Sequence, residues 1–459
     1  MSDSTDPLRV IIVGGGFSGT LVAIHLLRQG NCVHIDLIDP RIPGRGLAYS
    51  TAWDDHLLNV PAIRMSAFGS EPMHFLEWLQ ANGKPGADAS LFAPRKLYGS
   101  YLQDVLETSI RAASGRCTFR HHMGEAVHAW SDSISVYVLL RNGERIQGAK
   151  LVLACGNPPP RALASHIDTP WAPGAFASLD RDRDVLLIGA GLTAVDAFLA
   201  LQAQGHRGKV HFVSRRGKLP HAHQPYRPLP NSFAPSGALG ARLLLREIRR
   251  HVREAETEGV DWRAVIDSMR PVTNDIWRQL EPCEQRRVLR HLKVWWDIHR
   301  HRMAPEIGAI IDAAQADGRI VLHAGRLKQI PSDGRVEISL RAGGTLALDV
   351  QRVINCTGSD EDYRQTANPL MRSLLASGRI AANPIGKGLH TSEHGELYDG
   401  EGASAGWLLT LGPPRLGGLF ETTAVPELRK QAEALALYLS SVIYEPIEIV
   451  PELFMAAGI

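Results

Sequence analysis

The sequence predicts an α/β fold with two Rossmann-like dinucleotide-binding units. Two observations predict it. The stretches "LRVIIVGGGFSGTLVAIHLLRQGNCVHIDLIDP" (8–40) and "RDVLLIGAGLTAVDAFLALQAQGHRGKVHFVSRRG" (183–217) each run strand, glycine turn, helix, strand. The turns read G-x-G-x-x-G at Gly14, Gly16 and Gly19, and G-x-G-x-x-A at Gly189, Gly191 and Ala194.

Leu8–Val13 is a short apolar, β-branched run, as expected of a parallel strand buried on both faces. Gly14 permits a tight turn, Gly16 lets a pyrophosphate approach the backbone, and Gly19 lets helix and strand pack closely. The helix over Phe17–Arg28 puts Leu21, Ile24 and Leu27 on one side. At its start, Phe17 and Ser18 offer free N–H groups and the positive dipole end to phosphate. The next strand, Val33–Ile38, ends at Asp39 and Pro40; Asp39 lies 20 residues past Gly19, where an acid accepts hydrogen bonds from ribose hydroxyls.

In the second unit the strand is Val185–Ile188 and the helix runs from Leu192 and Thr193 to about Gln204. The following strand, Val210–Val213, ends in Ser214, Arg215 and Arg216 instead of an acid. An acid repels a 2′-phosphate and arginine binds it bidentately, so this site prefers NADP(H) over NAD(H), unless the two are a surface pair.

Composition bounds the function. The chain has 459 residues, 44% hydrophobic and 21% charged, with a formal net charge of +2. That leaves room for two cores and no charge bias toward nucleic acid or an anionic membrane. The five cysteines contain no C-x-x-C, which speaks for a reduced setting and against a redox pair or zinc ribbon. The polar N-terminus has no signal-peptide pattern and no apolar run is long enough to span a bilayer, so a cytoplasmic protein is expected.

The layout resembles the two-dinucleotide-domain flavoproteins, in which the first unit holds FAD and an inserted unit holds NADPH. The stretches "AKLVLACGNP" (149–158) and "VQRVINCTGSD" (350–360) resemble the strands that leave and re-enter the FAD domain, turning at Gly156 and Gly358. The resemblance implies a discontinuous FAD domain: 1–175, then an NADP(H) domain over 176–335 with a helical insertion over about 232–316, then 336–459. "GWLLTLGPPRLGGLFETTAVPELRKQAEALALYL" (406–439) resembles the last FAD motif, with a turn at Gly412 and a helix opened by Glu421, Thr422 and Thr423. The motif's usual Gly-Asp is Gly412-Pro413 here, so its aspartate contact is missing.

Together with "GRGLAYSTAWDDHLLNVPAIRMSAF" (44–68) and "WWDIHRHRMAP", the chain is similar to a bacterial family of FAD/NAD(P)-binding proteins. That family is grouped with FAD-dependent urate hydroxylases and aspartate N-monooxygenases. The resemblance implies a single-component monooxygenase that uses O2 through a C4a-(hydro)peroxyflavin and hydroxylates a small polar or anionic molecule. The alternatives are an NADPH-dependent flavin oxidase or reductase with an external acceptor, and a non-catalytic FAD/NADP sensor. A urate-like anion suits arginines, a histidine and an aromatic wall; an amino acid such as aspartate suits arginines.

The candidate catalytic residues are Asn59, His299 and Arg300. Asn59 precedes a rigid turn at Pro61, where its amide either meets the flavin edge or caps the turn. "HLKVWWDIHRHRMAP" (291–305) reads as one packed helix. Its apolar face includes Trp295, Trp296 and His299, and Lys293, Asp297 and Arg300 lie on the opposite face. His299, Arg300 and Arg302 at its end are expected to reach the cofactor cleft. No metal site is expected, because His299 and His301 splay apart on a helix. "HAHQPYRPLP" (221–230) reads as a loop over the nicotinamide end, with Arg227 touching phosphate or exposed, and "RHHM" (120–123) as surface.

Overall fold

The computed structural model describes residues 8–30, 33–132, 134–235, 240–329 and 334–444. The N-terminal residues 1–7 and Cys32 lie outside the described residues. The chain opens with β1 (Leu8–Val13), α1 (Phe17–Arg28), β2 (Val33–Ile38), α2 (His74–Ala81), α3 (Arg95–Ala112) and β3 (Thr118–His122). It continues with β4 (Ala126–Ser131), β5 (Val136–Leu140), β6 (Arg145–Gly148) and β7 (Lys150–Leu153). Then come β8 (Val185–Ile188), α4 (Leu192–Ala203) and β9 (Val210–Ser214). A helical stretch follows: α5 (Ala241–Thr257), α6 (Trp262–Met269), α7 (Thr273–Gln279), α8 (Pro282–His291), α9 (Lys293–Arg300) and α10 (Pro305–Ala316). The remainder is β10 (Ile320–Gln329), β11 (Arg335–Leu340), β12 (Thr345–Asp349), β13 (Arg352–Asn355), α11 (Pro369–Ala376), β14 (Glu396–Tyr398), β15 (Ser404–Thr410) and α12 (Val425–Tyr444).

The strands form three sheets. The first has the order β14-β15-β7-β1-β2-β3, parallel apart from β14. The second has the order β12-β11-β10-β9-β8-β13, parallel from β10 to β13, with the β11–β12 hairpin antiparallel at its edge. A small antiparallel sheet, β4-β5-β6, stands apart. Along β1 the buried side chains alternate: Val10 and Ile12 join a core with α1, α3 and α12, whereas Ile11 and Val13 join a core on the other side of the sheet. This period of two on a strand buried on both faces explains why β1 is apolar from Val10 to Val13, past the exposed Arg9.

The two units repeat one construction. Gly14 N–H donates to Ile38 O at 2.9 Å, and Gly189 N–H to Val213 O at 2.8 Å. Ala154 N–H donates to Val13 O and Cys356 N–H to Ile188 O, both at 2.8 Å. Gly14 and Gly189 have φ of 106° and 122°, the left-handed half of the map that favours glycine. A Cβ on either would stand 2.3 Å from the carbonyl oxygen of Ala154 or Cys356. The chain therefore turns over the neighbouring strand only because these positions carry no side chain.

The α/β fold with two Rossmann-like units is as expected; three details differ. Residues 336–355 run in the second sheet, since β13 pairs with β8, so the chain returns to the first sheet later than position 336. "RHHM" lies at the edge strand of the first sheet with Arg120 and Met123 exposed, as expected, and only its histidines differ by turning partly inward: His122 Nε2 contacts Asp36 at 2.8 Å and Nδ1 contacts Glu144 at 2.9 Å. α12 begins at Val425, after the Glu421–Thr423 segment. Among the described residues, no helix is long and apolar enough to cross a membrane.

A salt bridge joins the two units. Arg95 on α3 forks onto Asp196 on α4 at 2.7 and 3.1 Å, and His56 Nε2 meets the Asp196 carbonyl at 2.9 Å. Both side chains of the pair are largely buried. Removing one partner strands the other charge away from water. Asp196→Ala is expected to cost about 3 kcal/mol in urea denaturation; a loss under about 0.5 kcal/mol would mean the clamp carries little.

Candidate functional site

Each glycine turn leads into a helix whose N-terminus no side chain caps. Gly16 and Gly191 occupy the N-cap positions of α1 and α4, and neither first turn contains an acid. The first N–H groups are thus left to an anion. At Gly191 a Cβ would meet nothing within 4 Å, so the second turn faces open space. Ala194, third in the pattern, is fully buried, and Gly358 at the end of β13 also faces open space.

In the first unit Asp39 is buried, and both its oxygens accept from the backbone: Gly15 N–H at 2.7 Å and Arg41 N–H at 2.8 Å. Pro40 beside it is exposed. Asp39 thereby ties the turn at Gly15 to the loop after β2, and Gly44 N–H donates to Gly15 O at 2.9 Å. Its carboxylate has a structural duty in addition to the ribose contact that its position predicts. A Cβ on Gly19 would collide with Gly14 O at 1.9 Å, which explains the third glycine.

A cavity of about 440 Å³ opens between the C-terminal ends of the two sheets. From the second unit, Gly191, Leu192, Thr193 and Gly358 line it; from the first, Asn59, Thr422 and Thr423 do. Among the described residues, two buried side-chain atoms on its lining have no hydrogen-bond partner, Tyr363 OH and Thr422 Oγ1, and a third, Glu421 Oε2, has only the Arg300 guanidinium at 3.4 Å. Buried polar atoms are costly to leave unpaired, so this set fits a bound polar ring or ribityl-type chain. Gly156 and Gly412 do not line the cavity, although their neighbours Asn157 and Pro413 do. Gly412 N–H donates to Gln431 Oε1 at 2.9 Å, which places the turn on α12.

"HLKVWWDIHRHRMAP" is not one helix. α8 ends at His291 and α9 begins at Lys293, with Leu292 as the joint. The expected assignment of faces is reversed at the cavity. Lys293, Asp297 and His301, spaced i, i+4 and i+8, line it, together with Trp296. His299 does not reach it; with Trp295 it lines a separate cavity behind α9, and Trp295 is 39% exposed, not a core residue. Arg300 is buried behind the wall, 3.4 Å from Glu421 Oε2. Arg302 turns away onto Asp267 and is 1% exposed. Glu421 also accepts from Trp296 Nε1 at 2.8 Å.

These contacts set the charges. Burial disfavours the Lys293 ammonium, but Asp297, at 2.7 and 2.9 Å, and Glu361 outweigh it and hold its pKa above the ordinary lysine value. Burial pushes the His301 imidazole down to about 4, so it is neutral at pH 7. Sequence reasoning missed Lys293, Asp297 and His301, although their four-residue spacing marks one helical stripe. Among the described residues no arginine lines the cavity; Asp297, Glu361 and Glu421 do. The expected arginine cradle for an anion is replaced by three carboxylates that each face a cation: Asp297 with Lys293 at 2.7 Å, Glu361 with Lys387 at 2.9 Å and Glu421 with Arg300 at 3.4 Å.

Asn59 lies where its backbone carbonyl meets His223 Nε2 at 3.1 Å. The loop before "HAHQPYRPLP" contributes Pro220 to the lining, and the loop pairs with the end of α9 through His221 N–H to Ile298 O at 3.0 Å. Arg227 is exposed. Ser214 Oγ accepts from Gly217 N–H at 3.0 Å, Arg215 is exposed, and Arg216 stands 5.5 Å over the Trp295 ring. No carboxylate within ion-pair distance of Arg215 or Arg216 is found among the described residues.

Residues 11–158 match the model of a family described as FAD-NAD(P)-binding. No curated protein matches the sequence. Among solved structures the chain is similar to L-lysine 6-monooxygenase from Pseudomonas syringae, at 16% identity and TM-score 0.63 over 94% of this chain and 99% of that one. It is similar to the ornithine N-hydroxylase of Kutzneria sp. 744, solved with FAD, NADP+ and L-ornithine, at 13% identity and TM-score 0.62 over 95% and 99%. The bacillithiol disulfide reductase of Staphylococcus aureus is a third, at 14% identity and TM-score 0.55 over 95% and 99%. At such identities the likeness is one of fold.

If Arg215 and Arg216 receive a 2′-phosphate, Arg215→Ala and Arg216→Ala each weaken NADP+ binding by about ten- to hundredfold, from the worth of charge-assisted hydrogen bonds. NAD+ binding changes by less than about threefold, because it carries no such phosphate. Calorimetric Kd values for both nucleotides check this, and equal losses for the two would assign the arginines another role.

Proposed function

We propose that the chain is an FAD-dependent, NADPH-using monooxygenase that hydroxylates a small amine-bearing molecule, such as an amino acid, with O2. The observation that carries this reading is the shared cavity, lined both by the N-terminus of α4 and by the segment leading into α12. The match to an FAD-NAD(P)-binding family and the fold shared with two amino-acid hydroxylases support it.

The residues at Gly14, Gly16, Phe17, Ser18, Gly19 and Asp39 would hold the first dinucleotide, with Gly412, Thr422 and Thr423 at its far end. Those at Gly189, Gly191, Leu192, Thr193, Ser214, Arg215 and Arg216 would hold the second. Bound flavin would supply the electron and oxygen chemistry that side chains lack. The protein binds phosphate on the free N–H groups of α1 and α4. Trp296, Phe420 and Leu416 give the cavity its apolar part. Thr422 Oγ1 and Tyr363 OH offer hydrogen bonds at fixed places; burial raises the Tyr363 pKa far above its ordinary value, so the hydroxyl keeps its proton.

Glu361, Asp297 and Glu421 each stand beside a cation, Lys387, Lys293 and Arg300, so the amine reading is supported by the fold shared with the two amino-acid hydroxylases and not by the charge of the wall. Lys293 stays charged beside Asp297 and offers one place for a substrate carboxylate. Thiol chemistry is disfavoured. Burial, with Asp39 nearby, pushes the Cys155 thiol up to about 12, and burial raises Cys356 as well, so neither supplies a thiolate at neutral pH.

The reading is tested with FAD-loaded protein, NADPH and O2, offering amino acids, alkylamines and urate in turn. The expected result is NADPH consumption coupled to a product one oxygen atom heavier, for an amine and not for urate. Hydrogen peroxide in equal amount to NADPH with every compound would instead make the protein an oxidase.

A further inference from the structure

The helical stretch α5–α9 forms a second cavity, of about 680 Å³, behind α9. That volume lies within the roughly 300–1,000 Å³ typical of ligand pockets, whereas packed interiors leave few voids larger than a water. None of its lining residues belongs to either glycine turn. Trp296 and Phe420 stand between it and the cleft as a closed layer, with ring centroids 5.7 Å apart. What it holds is therefore separate from what the cleft holds.

The polarity of this chamber is graded. Its deep wall is made of buried apolar side chains, among them Ile266, Met269, Ile276 and Trp277, with the rings of Trp262 and Trp296 beside them. The one polar ring there, His299, turns Nδ1 to the Trp295 carbonyl at 2.7 Å, and burial holds its pKa below the ordinary histidine value, so it adds no charge at neutral pH. The ionic side chains of the lining, Arg249, Arg253 and Glu256, all stand exposed on α5. Their spacing of four and three residues puts them in one stripe, beside the apolar stripe of Leu245, Ile248 and Val252. Glu247 and Glu254 are paired with Arg250. Among the described residues no carboxylate lies within ion-pair distance of Arg249 or Arg253. The mouth thus carries two guanidiniums without a carboxylate partner against the single carboxylate of Glu256.

We propose that this chamber binds an aryl carboxylate, a ligand distinct from the substrate of the cleft. Tryptophan-rich walls suit a flat ring, because offset and edge-to-face ring contacts add to the burial of apolar area. At the mouth, guanidinium groups match a carboxylate in charge and in fork geometry. A cationic head group meets repulsion from the same pair. This site rests on the chamber and its rim alone and does not depend on the reaction proposed for the cleft.

The test is calorimetric titration of the FAD-loaded chain, with NADP+ present, by 2-naphthaleneacetate and by its neutral analogue 2-naphthaleneethanol. One carboxylate probe per chain is expected, with the alcohol bound at least about fivefold more weakly. Changing both Arg249→Gln and Arg253→Gln is expected to weaken the carboxylate about tenfold and to leave the alcohol within about twofold. Both residues are exposed, so the fold does not depend on them. Ile248→Trp fills the chamber from α5 and is expected to weaken both probes at least about tenfold. Absence of saturable binding overturns the proposal, as does carboxylate affinity that survives either the arginine pair's replacement or the filled chamber. Probe binding that falls as the chain self-associates, followed by sedimentation, gives the chamber to a second copy and overturns it as well.

Discussion

Two carbonyl oxygens, those of Ala154 and Cys356, lie so close beneath the turns at Gly14 and Gly189 that a methyl group on either would stand 2.3 Å away. Everything else depends on that close approach. It lets each chain reversal pass directly over the neighbouring strand and start its helix at the strand's carboxyl end. Free N–H groups then collect at the same edge of each sheet, where open α/β sheets bind ligands. Because Arg95 and His56 hold α4 against the first unit through Asp196, the two edges face one cleft.

The cleft's third wall comes from neither nucleotide unit. α9 brings Lys293, Trp296, Asp297 and His301, and Glu421 ties that wall to the segment before α12 through Trp296 and Arg300. Its polarity is unusual for a site expected to receive an anion. The two buried arginines at the end of this wall, Arg300 and Arg302, pair with Glu421 and Asp267. What faces the cavity is a set of carboxylates each paired with a lysine or arginine, so the substrate is set by the placement of these groups more than by the fold.

The nucleotide units were legible in the sequence because their signals are local. Strand, glycine turn, helix and second strand fall within about 30 residues, and β1, α1, β2 and β8 follow the expected bounds. The wall was not legible in the same way. Amphipathic periodicity divides a helix into a core face and a solvent face, but α9 stands between two cavities. Lys293 and Asp297 therefore fall, by periodicity, on the face opposite the apolar one, and His299 is expected nearer the cleft than it lies. The placement of β13 beside β8 was hidden for a related reason: "VQRVINCTGSD" and "AKLVLACGNP" have the same pattern, and only sheet pairing tells which unit each serves.

In the proposed reading the two dinucleotides meet in this cleft, so that electrons pass from one to the other. Anaerobic titration of the FAD-loaded protein with NADPH tests it most directly. The expected result is loss of the oxidised flavin absorbance, complete at one NADPH per bound FAD. A protein that holds FAD and binds NADPH, yet keeps its oxidised spectrum through the titration, would contradict it.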